Sequence, residues 1–328
     1  MTEKVIILLA LFELITVLYN RKRRTVACNR HAHPADLMEW KDFDPRNESM
    51  KIFGIDFTSA PDPKKRITYA QCNLTGDDLS LECLGALKSF IEFDAFLGQP
   101  GPWVGGMDFP FGQPRKFIEN AGWPETWEGM IRHISSMSKD EFIRVLESYC
   151  QGREKGDKHH LRRTDKLARS RSPMMLYRVP VGKMFFEGAP RLWESGVSVQ
   201  PCRVRDDPRT LVEAYPALVA RRWIGNRSYK TDTVRQQTMA QRLAREEIIH
   251  GLRSKDVMMY FGFDVHFNDH VVDELIQDGS GDRLDAFLCA VQAGWAFSQR
   301  ERNFGIPADC DLVEGWIVDP LLVKEATL

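Results

Sequence analysis

Acidic residues fall at the ends of apolar stretches in this chain of 328 residues. Asp56 stands inside "KIFGIDF", Asp108 follows "PWVGGM" just ahead of Pro110, Glu213 lies near the end of "TLVEAYP", and Asp282 and Asp285 open "GDRLDAFLCAVQAGWAF". Carboxylates converging from separate elements can hold hard divalent cations such as Mg²⁺ or Mn²⁺. Two such ions about 3.5 to 4 Å apart activate water and stabilise the leaving oxygen in phosphodiester hydrolysis. Each residue also has an ordinary reading. Asp282 can cap a helix and Asp285 favour its dipole, Asp108 can form a turn before Pro110, and Glu213 can be a surface carboxylate before the Tyr215-Pro216 break. Asp56 is harder to explain so simply, because a charge in the middle of a central strand is costly unless paired or metal-bound.

The elements that must position these residues follow from periodicity and punctuation. "KIFGIDF", apolar on both faces, predicts a central buried strand. "RITYAQCNL" (66–74) predicts a second strand, "TGDD" (75–78) a turn and "LSLECL" a third strand, before a helical stretch from about 85 to 97. Residues 102–107 are strand-like and are ended by Pro110 and Gly112. From about 115 to 208 the pattern loosens into an insertion rich in Gly, Pro and charge, apart from a helix opened by the Ser138/Glu141 capping box. "TLVEAYP" restores a strand, and "TVRQQTMAQRLAREEIIHGL" is helical. In the last strong element Leu284, Phe287, Leu288, Val291 and Trp295 recur at helical spacing, with Asp282 and Asp285 flanking that stripe at the first turn.

With 43% apolar and 28% charged residues the chain can bury a sizeable core, and a formal net charge of −1 gives no broad attraction to nucleic acid, leaving only local basic patches. Seven scattered cysteines without a CxxC pair suit a reducing, cytoplasmic setting. Residues 5–19 form an apolar run followed by Arg21-Lys22-Arg23-Arg24, a pattern that suggests a membrane anchor. The run is short for a span and contains Glu13, so residues 1–49 are expected to be an extension with little role in the fold. The domain is then expected over 50–320, with 321–328 as a tail.

Together "GIDFTSAP", "GMDFPFG", "VEAYP" and "DRLDAFLCAVQAGWA" resemble the motifs of domain-of-unknown-function family 429, a predicted nuclease group. The resemblance implies an α/β fold with an RNase H-like mixed sheet flanked by helices, similar to that of Holliday-junction resolvases. In that arrangement the first carboxylate lies on the first strand, another ends the fourth strand, and the rest sit on the C-terminal helix. Asp56, Asp108, Asp282 and Asp285 match these places in chain order and would be the metal ligands, with Glu213 a further catalytic candidate.

The basic stretch 152–172 offers Lys158, Arg162, Arg163 and Arg169 as contacts to DNA or RNA phosphates, unless it is simply a solvated loop. Trp123 and Trp127 could stack on bases or anchor a loop. His266 and His270 lack the Glu of a metalloprotease motif and are expected to be structural, while His159 and His160 are expected to be exposed. Two other functions stay open. "GIDFTSA" also resembles the first phosphate loop of actin-like ATPases and sugar kinases, but its loop lacks a glycine and no second phosphate loop is evident. A catalytically silent interaction module is the third reading.

Overall fold

Residues 48–326 are described by a computed structural model. The two-faced apolar run forms β1 (Met50–Asp56), buried along nearly its whole length. It lies inside a seven-stranded sheet completed by β2 (Ile67–Thr75), β3 (Asp78–Leu87), β4 (Trp103–Met107), β5 (Ser198–Val199), β6 (Arg209–Glu213) and β7 (Asp264–His266). The spatial order is β5-β6-β4-β1-β2-β3-β7. The meander β1-β2-β3 is antiparallel, with Gly76 at positive φ in the tight turn joining β2 to β3. β4 runs parallel to β1, and β6 runs parallel to β4. The C-terminal ends of β1, β4 and β6 therefore lie along one edge of the sheet.

Different elements cover the two faces. On one, Phe53, Ile55 and Met107 join a core built with α1 (Phe90–Leu97) and most of the helices between β4 and β5. The helices between those two strands are α2 (Arg115–Ala121), α3 (Trp127–Ser135), α4 (Lys139–Cys150), α5 (Arg163–Ala168) and α6 (Val181–Ser195). The stretch from 115 to 208 is thus mainly helical, and the Ser138/Glu141 capping box forms as expected at the start of α4. α7 (Pro216–Ile224), α8 (Met239–Leu252), α9 (Asp256–Phe261) and α10 (Asp269–Gln277) precede α11 (Asp282–Ser298), and α12 (Pro320–Ala326) ends the described chain. α11 is almost wholly buried and packs on β1, β2 and β4 across the other face.

Several boundaries shift for local reasons. The helix expected from about 85 starts at Phe90, because β3 runs on to Leu87 and Ser89 provides the N-cap, accepting from the Glu92 N–H. The long helix expected over 233–252 begins at Met239 behind a Thr238/Gln241 capping box. At the Tyr215-Pro216 break a helix starts at once, with Pro216 in its first turn, where a missing N–H costs nothing. No helix among the described residues is long and apolar enough to cross a membrane. The apolar run 5–19 and its basic flank lie outside the described residues.

Candidate functional site

Two strand ends carry the same three-residue pattern, Gly54-Ile55-Asp56 and Gly106-Met107-Asp108. Side chains alternate along a strand, so each aspartate faces the same side as the glycine two residues before it. Gly54 and Gly106 are register partners across β1 and β4, and α11 rests on both. A Cβ at Gly54 would lie 1.9 Å from the Ala286 carbonyl oxygen and 2.1 Å from the Ala290 nitrogen, and one at Gly106 would lie 2.4 Å from the Cys289 carbonyl oxygen. Only the absence of side chains lets the helix backbone lie this close to the sheet. That seat brings Asp285 to the two strand aspartates. Carboxylate oxygens of Asp56, Asp108 and Asp285 all lie within 4.8 Å of one another. The Asp108 N–H donates to the Ile55 carbonyl at 2.9 Å, which continues the β1–β4 ladder one step and holds Asp108 beside Asp56.

Burial and mutual repulsion act together on these carboxyls. Asp56 and Asp285 are buried and Asp108 is half-buried. Burial pushes Asp56 well above the usual carboxylate range, and the charges of Asp285, Asp282 and Asp108 push the same way against the pull of Lys230. Asp108 is raised to about 7 by burial and then by Asp285, again opposed by Lys230. Asp285 is raised by burial even though Lys230 pairs with it and the Tyr229 hydroxyl donates to it. Burial works against the charge on Lys230, but Asp285, Tyr229, Asp56 and Asp108 outweigh it and keep the amine strongly basic. Three hard oxygen ligands with no sulfur or imidazole among them could hold a divalent metal ion.

Asp282 and Glu213 are not among the three carboxylates that converge, although the charge of Asp282 still reaches Asp56. Asp282, one helical turn before Asp285, accepts from Lys65 Nζ at 2.9 and 3.0 Å, while its carbonyl accepts from the Thr68 hydroxyl. Glu213 ends β6 but is the register partner of Met107, not of Asp108. It therefore faces the opposite side of the sheet from Asp108. There it accepts from both terminal nitrogens of Arg162, at 2.6 and 2.8 Å, and from the Phe111 N–H.

That pairing corrects the expectation for Arg162. Its side chain is 1% exposed and also pairs with Asp165, so it ties the helical segment to β6 and is not available to a solvent-borne phosphate. Lys158, Arg163 and Arg169 are exposed, although Arg163 pairs with Asp309. Trp123 and Trp127 are buried, the latter donating to the Phe111 carbonyl, and so cannot stack on bases. His160, expected at the surface, is buried and bonded to the Tyr149 hydroxyl. His266 pairs with Asp78 from strand β7, so the helical spacing to His270 is not realised. Lys230 and Tyr229, which reach the carboxylates, sit in a polar loop with no periodic signal, and only their tertiary contacts mark them.

Sheet order, helical cover and cluster together define an α/β protein with a buried carboxylate site at the C-terminal ends of adjacent parallel strands. The family model described as "Protein of unknown function (DUF429)" matches residues 54–309, a span that starts at Gly54 and includes all three carboxylates. The chain belongs to that family. No curated protein and no solved structure gives a match.

Proposed function

We propose that this protein is a metal-dependent nuclease that hydrolyses phosphodiester bonds in DNA or RNA. The observation that carries the reading is the convergence of Asp56, Asp108 and Asp285 from two parallel strands and one helix. Its support is the agreement in chain order and position with the RNase H-like arrangement: first strand, end of the fourth strand, C-terminal helix. These three residues would hold the ion. Mg²⁺ or Mn²⁺ bound there would supply Lewis-acid stabilisation of a phosphoryl oxygen and a more acidic water.

The chain's own groups supply access and orientation. Asp108 opens onto a cleft of about 260 Å³ whose lining includes Asp285, Lys230, Tyr215, Ser170 and Arg171. Arg171 is exposed and has no salt bridge among the described residues, so its guanidinium is free to grip a substrate phosphate beside the carboxylates. With Arg162 committed to its ion pairs, Arg171 joins Lys158, Arg163 and Arg169 among the basic residues expected to bind substrate. The test is an assay of labelled single-stranded, duplex and branched DNA and RNA in Mn²⁺, with Asp108→Asn as the inactive control. Cleavage by the wild-type protein and none by the variant is expected. If no polynucleotide is cut while ATP is turned over and Asp56→Asn loses that turnover, the kinase-like reading takes its place.

A further inference from the structure

We propose that Lys230 is a resident cation of the carboxylate cluster, so that the site takes one divalent metal ion per chain. The inference rests on the metal-site reading above. Its first support is geometry: the Lys230 ammonium pairs with Asp285, and Lys230 lines the same cleft as Asp108 and Asp285. Its second support is that the lysine is held in place along its whole length. The Tyr229 carbonyl accepts from Arg245 at 2.6 Å, and the Lys230 carbonyl accepts from Gln241 Nε2 at 3.1 Å. On the far side, the Thr231 N–H donates to the Gly279 carbonyl at 3.1 Å. The aliphatic stem crosses Gly281, which adopts φ +74° and where a Cβ would lie only 2.8 Å from the Lys230 Cβ. The Tyr229 hydroxyl donates to the other oxygen of Asp285. A lysine anchored this way does not sample solvent like an ordinary surface side chain.

Charge completes the argument. Once a bound cation holds all three carboxylates ionised, they and the ammonium carry a net charge of −2, which one divalent cation neutralises; without the lysine the same carboxylates would attract that cation more strongly. Lys230 also lines the cleft, and in this arrangement its ammonium would meet a phosphate oxygen while the metal occupies the carboxylates.

The experiment is equilibrium binding of Mn²⁺ to the full chain, with free Mn²⁺ read by electron paramagnetic resonance, for wild type, Lys230→Met and Lys230→Arg. Circular dichroism establishes that each variant is folded. One Mn²⁺ per chain is expected for wild type. Lys230→Met should bind it at least ~10-fold more tightly, because a unit positive charge next to the ion is gone, and should cleave nucleic acid more slowly at saturating Mn²⁺. Lys230→Arg should keep the wild-type affinity. Two Mn²⁺ per wild-type chain, no Mn²⁺ binding at all, or an affinity in Lys230→Met that is unchanged or weaker, overturns the inference. Cleavage by a wild-type protein that binds two ions would refute the role of Lys230 and leave the nuclease reading intact. The expected binding pattern without cleavage of any polynucleotide would do the reverse. If Lys230→Met does not fold, the stoichiometry of wild type and of Lys230→Arg still decides the question.

Discussion

Replacing Asp108 by Asn should stabilise the metal-free protein at alkaline pH while abolishing its response to metal. The Asp108 carboxyl is raised to about 7, first by burial and then by the charge of Asp285, whereas in an unfolded chain an aspartate titrates near 4. Between those values the folded state keeps a proton that the unfolded state has released, so stability falls as pH rises from about 4 to about 7 and is level on either side. Three pKa units at about 1.4 kcal/mol each set an upper limit of about 4 kcal/mol on this loss. Water entering the cleft reduces it, because Asp108 is only half-buried.

Asparagine has no such titration. At roughly 2–4 °C per kcal/mol for a domain of this size, Asp108→Asn in EDTA should melt several degrees above wild type at pH 8, with the gap shrinking towards pH 5. Mn²⁺ should reverse the order, raising the Tm of wild type and leaving the variant unmoved. Differential scanning fluorimetry across pH 5–8, in EDTA and in Mn²⁺, reads all of this. A variant that melts below wild type at pH 8 in EDTA, or a gap that does not change with pH, would show that the cluster stores no carboxylate repulsion.

Three further outcomes follow from the same geometry. Gly54→Ala places a methyl group 1.9 Å from the backbone of α11, so the helix must lift; a loss of at least ~1–3 kcal/mol in urea denaturation together with a weaker Mn²⁺ response is expected, and a neutral result would mean that the helix is not seated on this glycine. Arg162→Met leaves Asp165 and Glu213 buried without their partner and should cost about 3–5 kcal/mol, read as a lower denaturation midpoint; wild-type stability would show that the network is dispensable. Arg171→Ala should leave stability within about 0.5 kcal/mol of wild type but weaken nucleic-acid binding and reduce its salt slope by about one; an unchanged slope would move phosphate contact elsewhere.

Some of this site is legible in local sequence because its physics is local. A charge inside "FGIDF" needs compensation wherever the strand lies, so Asp56 stands out at once, and Asp108 follows from a strand stopped by Pro110. The α/β class, the antiparallel meander and the C-terminal helix come from periods of two and 3.6 residues, which the chain displays without help from its fold. What the sequence leaves open is which face a side chain takes and which residue lies opposite it. Glu213 and Asp108 both end parallel strands, yet the pairing of Met107 with Glu213 turns them to opposite sides, and a shift of one residue would have exchanged their environments. Asp282 and Asp285 share one helical turn, and only the seat of α11 on Gly54 and Gly106 selects Asp285 for the cluster and leaves Asp282 to Lys65. Arg162 looks like part of a solvated basic run until Glu213, 51 residues away, is folded against it, and Lys230 acquires a role only through Asp285, 55 residues on. Partners so far apart meet only when the whole sheet has formed, so the sequence determined which carboxylates were available and the tertiary structure decided which of them share a site.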